Sequence, residues 1–156
     1  MPRTTEAVHA KLDIALEYLD LAMQLYMENR NYFCTIHLAA AAEELLGKHL
    51  PESACIYNMA LKAQKALKIL ESGHEPENLE MAHKEAKSVL LSSKNAIKHM
   101  NDAETTISID SASEAAYWIE QALINFYKLK LRKSQTLWKF EDYRNEQMRQ
   151  ELGSLL

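Results

Sequence analysis

Glycine and proline are scarce, three of each in 156 residues. With so few breakers and abundant Ala, Leu, Glu and Lys, the chain is expected to form long helices joined by few turns. Cysteine is equally sparse. Cys34 and Cys55 cannot frame a disulfide-held fold; both fall in helix-like segments and are expected to be reduced and buried, with no metal site between them. No apolar run approaches the roughly 20 residues of a membrane span. The N-terminus, Met1-Pro2-Arg3-Thr4-Thr5-Glu6, lacks the hydrophobic stretch of a targeting segment, so a cytoplasmic location and no membrane partner are expected. There is no excess of positive charge either. A formal net charge of −4 argues against a protein that coats nucleic acid with a broad basic surface, and leaves room for a small local phosphate site.

The length suits one domain over 1–156, large enough to bury about 70% of its unfolded surface. Val8, Leu12, Ala15, Leu19, Ala22 and Tyr26 recur at spacings of three and four, which predicts a first helix over about 5–28. Asn29-Arg30-Asn31 supplies the break and the next N-cap. A second helix, about 32–49, carries Tyr32, Phe33, Ile36 and Leu38 before four consecutive alanines, whose small side chains predict a tight helix crossing. Pro51 suits the first turn of a third helix, with Met59, Ala63, Ala66, Leu67 and Leu70 on its inner side. Ser72-Gly73-His74-Glu75-Pro76 separates it from a fourth helix over about 77–101.

Residues 101–110 form the one long loop, with Thr105, Thr106, Ile107 and Ile109 suggesting a short extended piece. Ser111-Ala112-Ser113-Glu114 has capping-box spacing and opens a fifth helix along Ala115, Ile119, Ala122, Leu123 and Phe126. The core is expected over about 5–133. Residues 134–156 are expected to add a polar C-terminal helix whose Trp138 and Phe140 pack over the end of the bundle or on another subunit, with a frayed tail beyond about 149.

Chemistry concentrates in Lys94-Asn95-Ala96-Ile97-Lys98-His99-Met100-Asn101-Asp102, where a cation, an amide, an imidazole and a carboxylate fall within about two helical turns. Asn95, His99 and Asp102 stand at i, i+4 and i+7, one polar row. Val89, Ser93, Ile97 and Met100 form a second row, roughly opposite, that reads as the core face. The plain alternative for the polar row is a solvated helix face.

The Lys94-Asn95 pair followed by a short spacer and His99, late in an all-helical chain, resembles a variant of the signature of the HEPN superfamily, with lysine where that signature has arginine. The run Ala39-Ala40-Ala41-Ala42-Glu43-Glu44-Leu45-Leu46-Gly47-Lys48 is similar to the alanine-rich helix with an acidic pair before Gly-Lys in uncharacterised bacterial HEPN-like proteins. Lys98-His99-Met100-Asn101-Asp102 is similar to their Lys-His-x-x-Asp stretch. The resemblance spans roughly residues 5–133. It implies an all-α, antiparallel bundle of about five to six helices that pairs as a homodimer and handles RNA or nucleotide, either as a weak or degenerate metal-independent endoribonuclease or as a binding relative.

In the ribonuclease form the resemblance makes His99 the general base on a 2′-hydroxyl, yielding a cyclic phosphate. Lys94 counters phosphate charge and Asn95 orients one of the reacting groups. Asp102 would hold His99 in one tautomer, while Lys98, Glu44 and Lys48 would contact substrate; no metal and no cofactor is implied. Lys94 and His99 stand about 140° apart around a helix, so they converge through a long side chain or across a dimer. The reading of a different class is a non-catalytic helical interaction protein, such as the partner of a nucleotidyltransferase in a toxin and antitoxin pair.

Other constellations are thinner. Glu80-Met81-Ala82-His83 has Glu-x-x-His spacing, but a di-iron bundle needs that motif twice plus two further glutamates. Glu43 and Glu44 with His37 could supply ligands, although Glu44 and Lys48 at i, i+4 are more simply a helix-stabilising pair. Gly47-Lys48 lacks the loop of a P-loop. Ser111 and Ser113 are expected to cap a helix. Lys128, Lys130, Arg132 and Lys133 crowd the end of the fifth helix, where dipole compensation and solubility compete with phosphate binding as explanations.

Overall fold

The computed structural model describes residues 8–51, 88, 95, 97 and 106–154. Among them are four helices, α1 (Lys11–Met27), α2 (Tyr32–Gly47), α3 (Ser111–Lys128) and α4 (Gln135–Ser154), and no strand. Ser88, Asn95 and Ile97 are helical positions. No helix among the described residues is long and apolar enough to cross a membrane. The third helix with its Met59 to Leu70 face, Cys55, the Glu80 and His83 pair, and Val89, Ser93, Met100 and Thr105 lie outside the described residues.

α1 buries Ala15, Leu19, Ala22, Met23 and Tyr26, a stripe one residue in three or four wide that faces a neighbour while the opposite side meets water. It starts later than its periodicity predicts. Val8 lies outside the helix and fully exposed, so the first useful apolar position is Leu12, half-buried against the core.

The turn into α2 is made by two asparagines in the left-handed region, Asn29 at φ 51° and Asn31 at φ 56°, a conformation this short side chain tolerates better than most. Asn31 is the N-cap of α2, as expected, although its side chain makes no capping hydrogen bond. Asn29 Oδ1 instead accepts from the Tyr32 and Tyr143 hydroxyls at 3.3 and 3.5 Å. With so short a link, α1 and α2 form an antiparallel hairpin.

α2 is buried on more than one side. Thr35, Ile36, Ala39, Ala40, Ala42, Glu43 and Leu46 are all inaccessible, and the helix packs on both α1 and α3. The alanine run makes this double contact feasible, because a methyl side chain lets a second axis come close without a gap. α3 answers with Ala115 and Ala122 between Trp118, Ile119, Leu123 and Phe126. Phe33 is half exposed, and Cys34, expected to be buried, is exposed.

Residues 106–110 are irregular, and the expected extended piece does not form a strand there. The cap of α3 falls one residue before the predicted one. Asp110 is the N-cap, its carboxylate accepting from the Ser113 N–H at 3.2 Å and the Ser113 hydroxyl at 2.7 Å. A carboxylate outcompetes a serine hydroxyl here because it is the stronger acceptor and its charge suits the positive end of the helix. The Ser113 hydroxyl, then its backbone N–H, hold the Asp110 carboxyl below its ordinary pKa. The far end of α3 closes with Lys130 in the left-handed region at φ 54°.

α4 departs most from expectation. Its Leu137 and Phe140 belong to the core of the same chain, and it is helical to Ser154, past the point where fraying was predicted. Docking relies on a few strong points. Ser134 Oγ accepts from the Leu137 N–H at 3.0 Å and donates to Asp20 of α1 at 2.7 Å, so one hydroxyl caps α4 and ties it down. Phe140 and Tyr143 both meet the Tyr26 ring edge-on, at 6.0 and 6.3 Å between centroids. Arg144 pairs with Glu120 of α3 at 2.6 Å. Burial, and less strongly the Tyr143 and Tyr32 hydroxyls, raise the Tyr26 phenol above its usual pKa despite Arg144.

Truncating Phe140 to alanine is expected to cost about 3–5 kcal/mol, as for other buried aromatics. Truncating the exposed Trp138 two positions earlier should cost no more than about 1 kcal/mol. Urea midpoints at unchanged slope check both values, and similar losses for the two variants would contradict this placement of α4.

Candidate functional site

The described residues hold one buried polar centre, between α2 and α3. Glu43 is 1% exposed and Asn125 is wholly buried. Glu43 lies on the row of Ala39, Ala40 and Leu46, and Asn125 on the row of Trp118 and Ala122, so helical geometry turns both inward among apolar neighbours. The Asn125 amide donates to the Glu43 backbone carbonyl at 3.0 Å and to its Oε1 at 3.2 Å. Both partners are acceptors, which fixes the amide orientation: only the NH2 side can face them. Asn125 Oδ1 has no donor among the described residues.

Gly47 completes the centre. A β-carbon there would lie 3.3 Å from Asn125 Nδ2 and 3.8 Å from Glu43 Oε1, so the missing side chain gives the amide its space. Tyr117 stands at the margin, half-buried and edge-on to Trp118 at 5.5 Å. Burial, then the charges of Glu114 and Glu43, push its phenol above the ordinary value, so the hydroxyl keeps its proton throughout the neutral range. An acid, an amide and a protonated phenol around one crossing can hold helices in register and present donors and acceptors of fixed direction.

A second polar cluster joins α3 to α4 at the surface. Lys133 contacts both Glu141 oxygens, at 2.7 and 2.9 Å, and the Tyr127 hydroxyl donates to the same carboxylate. Burial disfavours the charged Glu141, but the hydrogen bonds from Lys133 and Tyr127 and the Lys133 charge outweigh it and hold its pKa low. Tyr127 is pushed up to about 12, by burial first and then by Glu141.

Of the residues singled out in sequence, Glu44 and Lys48 are brought together. They form an exposed ion pair of 3.1 Å along the last turn of α2, the i, i+4 arrangement anticipated for them. Asn95 is helical and exposed. Ile97, two positions on, is half-buried and packs against the core formed by the described helices. Lys94, Lys98, His99 and Asp102 lie outside the described residues. His37 is exposed on α2, and no group of three or more His, Cys, Asp or Glu positioned to hold a metal occurs among the described residues.

The buried pair was missed in sequence. One local sign was present: Asn125 interrupts the otherwise apolar row of Trp118, Ala122 and Leu129. No protein-family model, curated protein or solved structure matches the chain.

Asn125→Ala is expected to destabilise by about 1–3 kcal/mol, because it removes two hydrogen bonds to the buried Glu43. Chemical denaturation checks the value. A change near zero would mean that water or another group satisfies Glu43 as well as the amide does.

Proposed function

We propose that this chain is a HEPN-like bundle of five to six helices that dimerises and engages RNA or nucleotide in a groove shared by two copies, acting as a weak or degenerate metal-independent endoribonuclease. The supporting observation is the pair Asn95 and Ile97. Two residues apart on a helix are about 200° apart around its axis. An exposed Asn95 beside an inward-packed Ile97 therefore fits a helix whose polar row faces away from the core. By spacing, His99 and Asp102 belong to the row of Asn95, where solvent, substrate or a second copy can meet them.

On this reading His99 takes the proton of a 2′-hydroxyl as the oxygen attacks the adjacent phosphorus. The bond to the 5′-oxygen breaks, that oxygen takes a proton from water, and a 2′,3′-cyclic phosphate results. Lys94 balances the charge that gathers on the non-bridging oxygens and Asn95 orients one of the reacting groups, while Asp102 fixes the imidazole tautomer. An ammonium ion lacks the planar two-point grip of guanidinium, so turnover is slow. Lys98, Glu44 and Lys48 contact the substrate, with the exposed Lys48 ammonium as a phosphate partner held over the end of α2 by Glu44.

The test is cleavage of labelled RNA in the presence of chelator. His99→Ala should abolish cleavage with helicity unchanged, and Lys94→Arg should preserve or raise it. Cleavage that survives His99→Ala would remove the assignment. So would a wild-type protein that neither cleaves nor gains activity through Lys94→Arg.

A further inference from the structure

The corner where α3 turns into α4 is chemically unlike the rest of the chain. Five of the eighteen lysines and arginines, Lys128, Lys130, Arg132, Lys133 and Lys139, fall within residues 128–139, a stretch with no carboxylate, in a chain of net charge −4. Dipole compensation at the end of α3 accounts for Lys128 and Lys130. It does not account for Arg132, Lys133 and Lys139, which stand at the start of α4, where the dipole disfavours cations. Glu141 pairs with Lys133. Lys130, Arg132 and Lys139 are exposed and have no carboxylate partner among the described residues.

Two aromatic rings stand in the same place. Trp138 is 57% exposed and Tyr127 44% exposed. The Lys133 ammonium lies 4.3 Å from the Trp138 ring centroid and 5.5 Å from that of Tyr127, so one cation bridges the two rings and limits their motion. The Tyr127 hydroxyl is tethered to Glu141. The result is an indole and a phenol presented outward from a braced corner, in a stretch whose Lys130, Arg132 and Lys139 pair with no carboxylate among the described residues.

We infer that this corner is a contact surface for single-stranded nucleic acid, on which a base stacks against Trp138 while Lys130, Arg132 and Lys139 meet the phosphates. Charge complementarity selects a polyanion, and the exposed rings select one with flat, unpaired bases. A duplex hides its base faces, and an acidic peptide has none to stack. The surface is independent of the row of Asn95 and His99; it would hold a strand whether or not that row cleaves one.

Fluorescence anisotropy of the full chain with a labelled single-stranded RNA of about a dozen nucleotides tests this, against the same sequence as a duplex and against poly-glutamate as competitor. The single strand should bind more tightly than the duplex, and more weakly as salt rises. It should also quench tryptophan emission, which reports Trp138 because Trp118 is 2% exposed. Trp138→Ala should weaken binding about tenfold, and Arg132→Gln with Lys139→Gln by a similar factor, with helicity unchanged. His99→Ala should leave this binding in place. Binding that survives Trp138→Ala but falls with His99→Ala would overturn the inference while sparing the proposed function. Equal competition by poly-glutamate would make the partner an acidic protein and overturn it too. A wild-type chain that binds no single strand would end the inference, while cleavage would still decide the reading of His99.

Discussion

α2 and α3 meet along a contact that holds the buried pair of Glu43 and Asn125. Ala39, Ala40 and Ala42 of α2 and Ala115 and Ala122 of α3 all lie without exposed surface. Methyl groups let the axes approach, and close approach makes a buried Glu43 tolerable, because the Asn125 amide can then reach both its backbone carbonyl and its carboxylate. Gly47 leaves room for that amide. Hydrophobic packing alone would allow neighbouring alanines to slip past one another at little cost. A directional pair penalises any other register, because displacement breaks both hydrogen bonds of the Asn125 amide.

The other helices are held in different ways. α1 lies against α2 along a continuous apolar stripe, helped by the short asparagine turn. α4 has few apolar residues and docks at points: Leu137 and Phe140 in the core, Ser134 on Asp20, Arg144 on Glu120, and an aromatic cluster around Tyr26. Such a helix is held near its start and middle, and its last turns, exposed from Met148 to Ser154, are stabilised mainly by their own backbone. The same arrangement leaves Trp138 outside while its neighbour Leu137 is inside, so one turn of α4 serves both the core and the surface.

The all-helical class was legible because periodicity of three and four survives in α1, α2 and α3, and because breakers are so few. The crossing was legible in the alanine run. Three features were not. Position rather than composition decided α4, whose Leu137 and Phe140 are spaced to share one face although the segment is polar on average. Acceptor strength decided the α3 cap, where Asp110 displaced Ser111. The buried pair depends on two segments 82 residues apart, and no local pattern reports that separation. For the candidate site, the Glu44 and Lys48 pairing and the opposed settings of Asn95 and Ile97 follow from helical spacing alone. The chemistry assigned to Lys94, His99 and Asp102 follows from family resemblance and is decided by activity.

If the α2 and α3 contact is the centre on which the rest depends, it should be the last part of the molecule to open. Native-state hydrogen exchange measures this residue by residue. Backbone amides of Ala42, Glu43, Leu46, Ile119, Ala122 and Asn125 are expected to exchange only through global unfolding, with the same free energy and the same dependence on denaturant. Those of Met148 to Ser154 should exchange through smaller openings. Exchange of the α2 and α3 amides at lower free energy than those of α4 would contradict this picture and place the stable centre elsewhere.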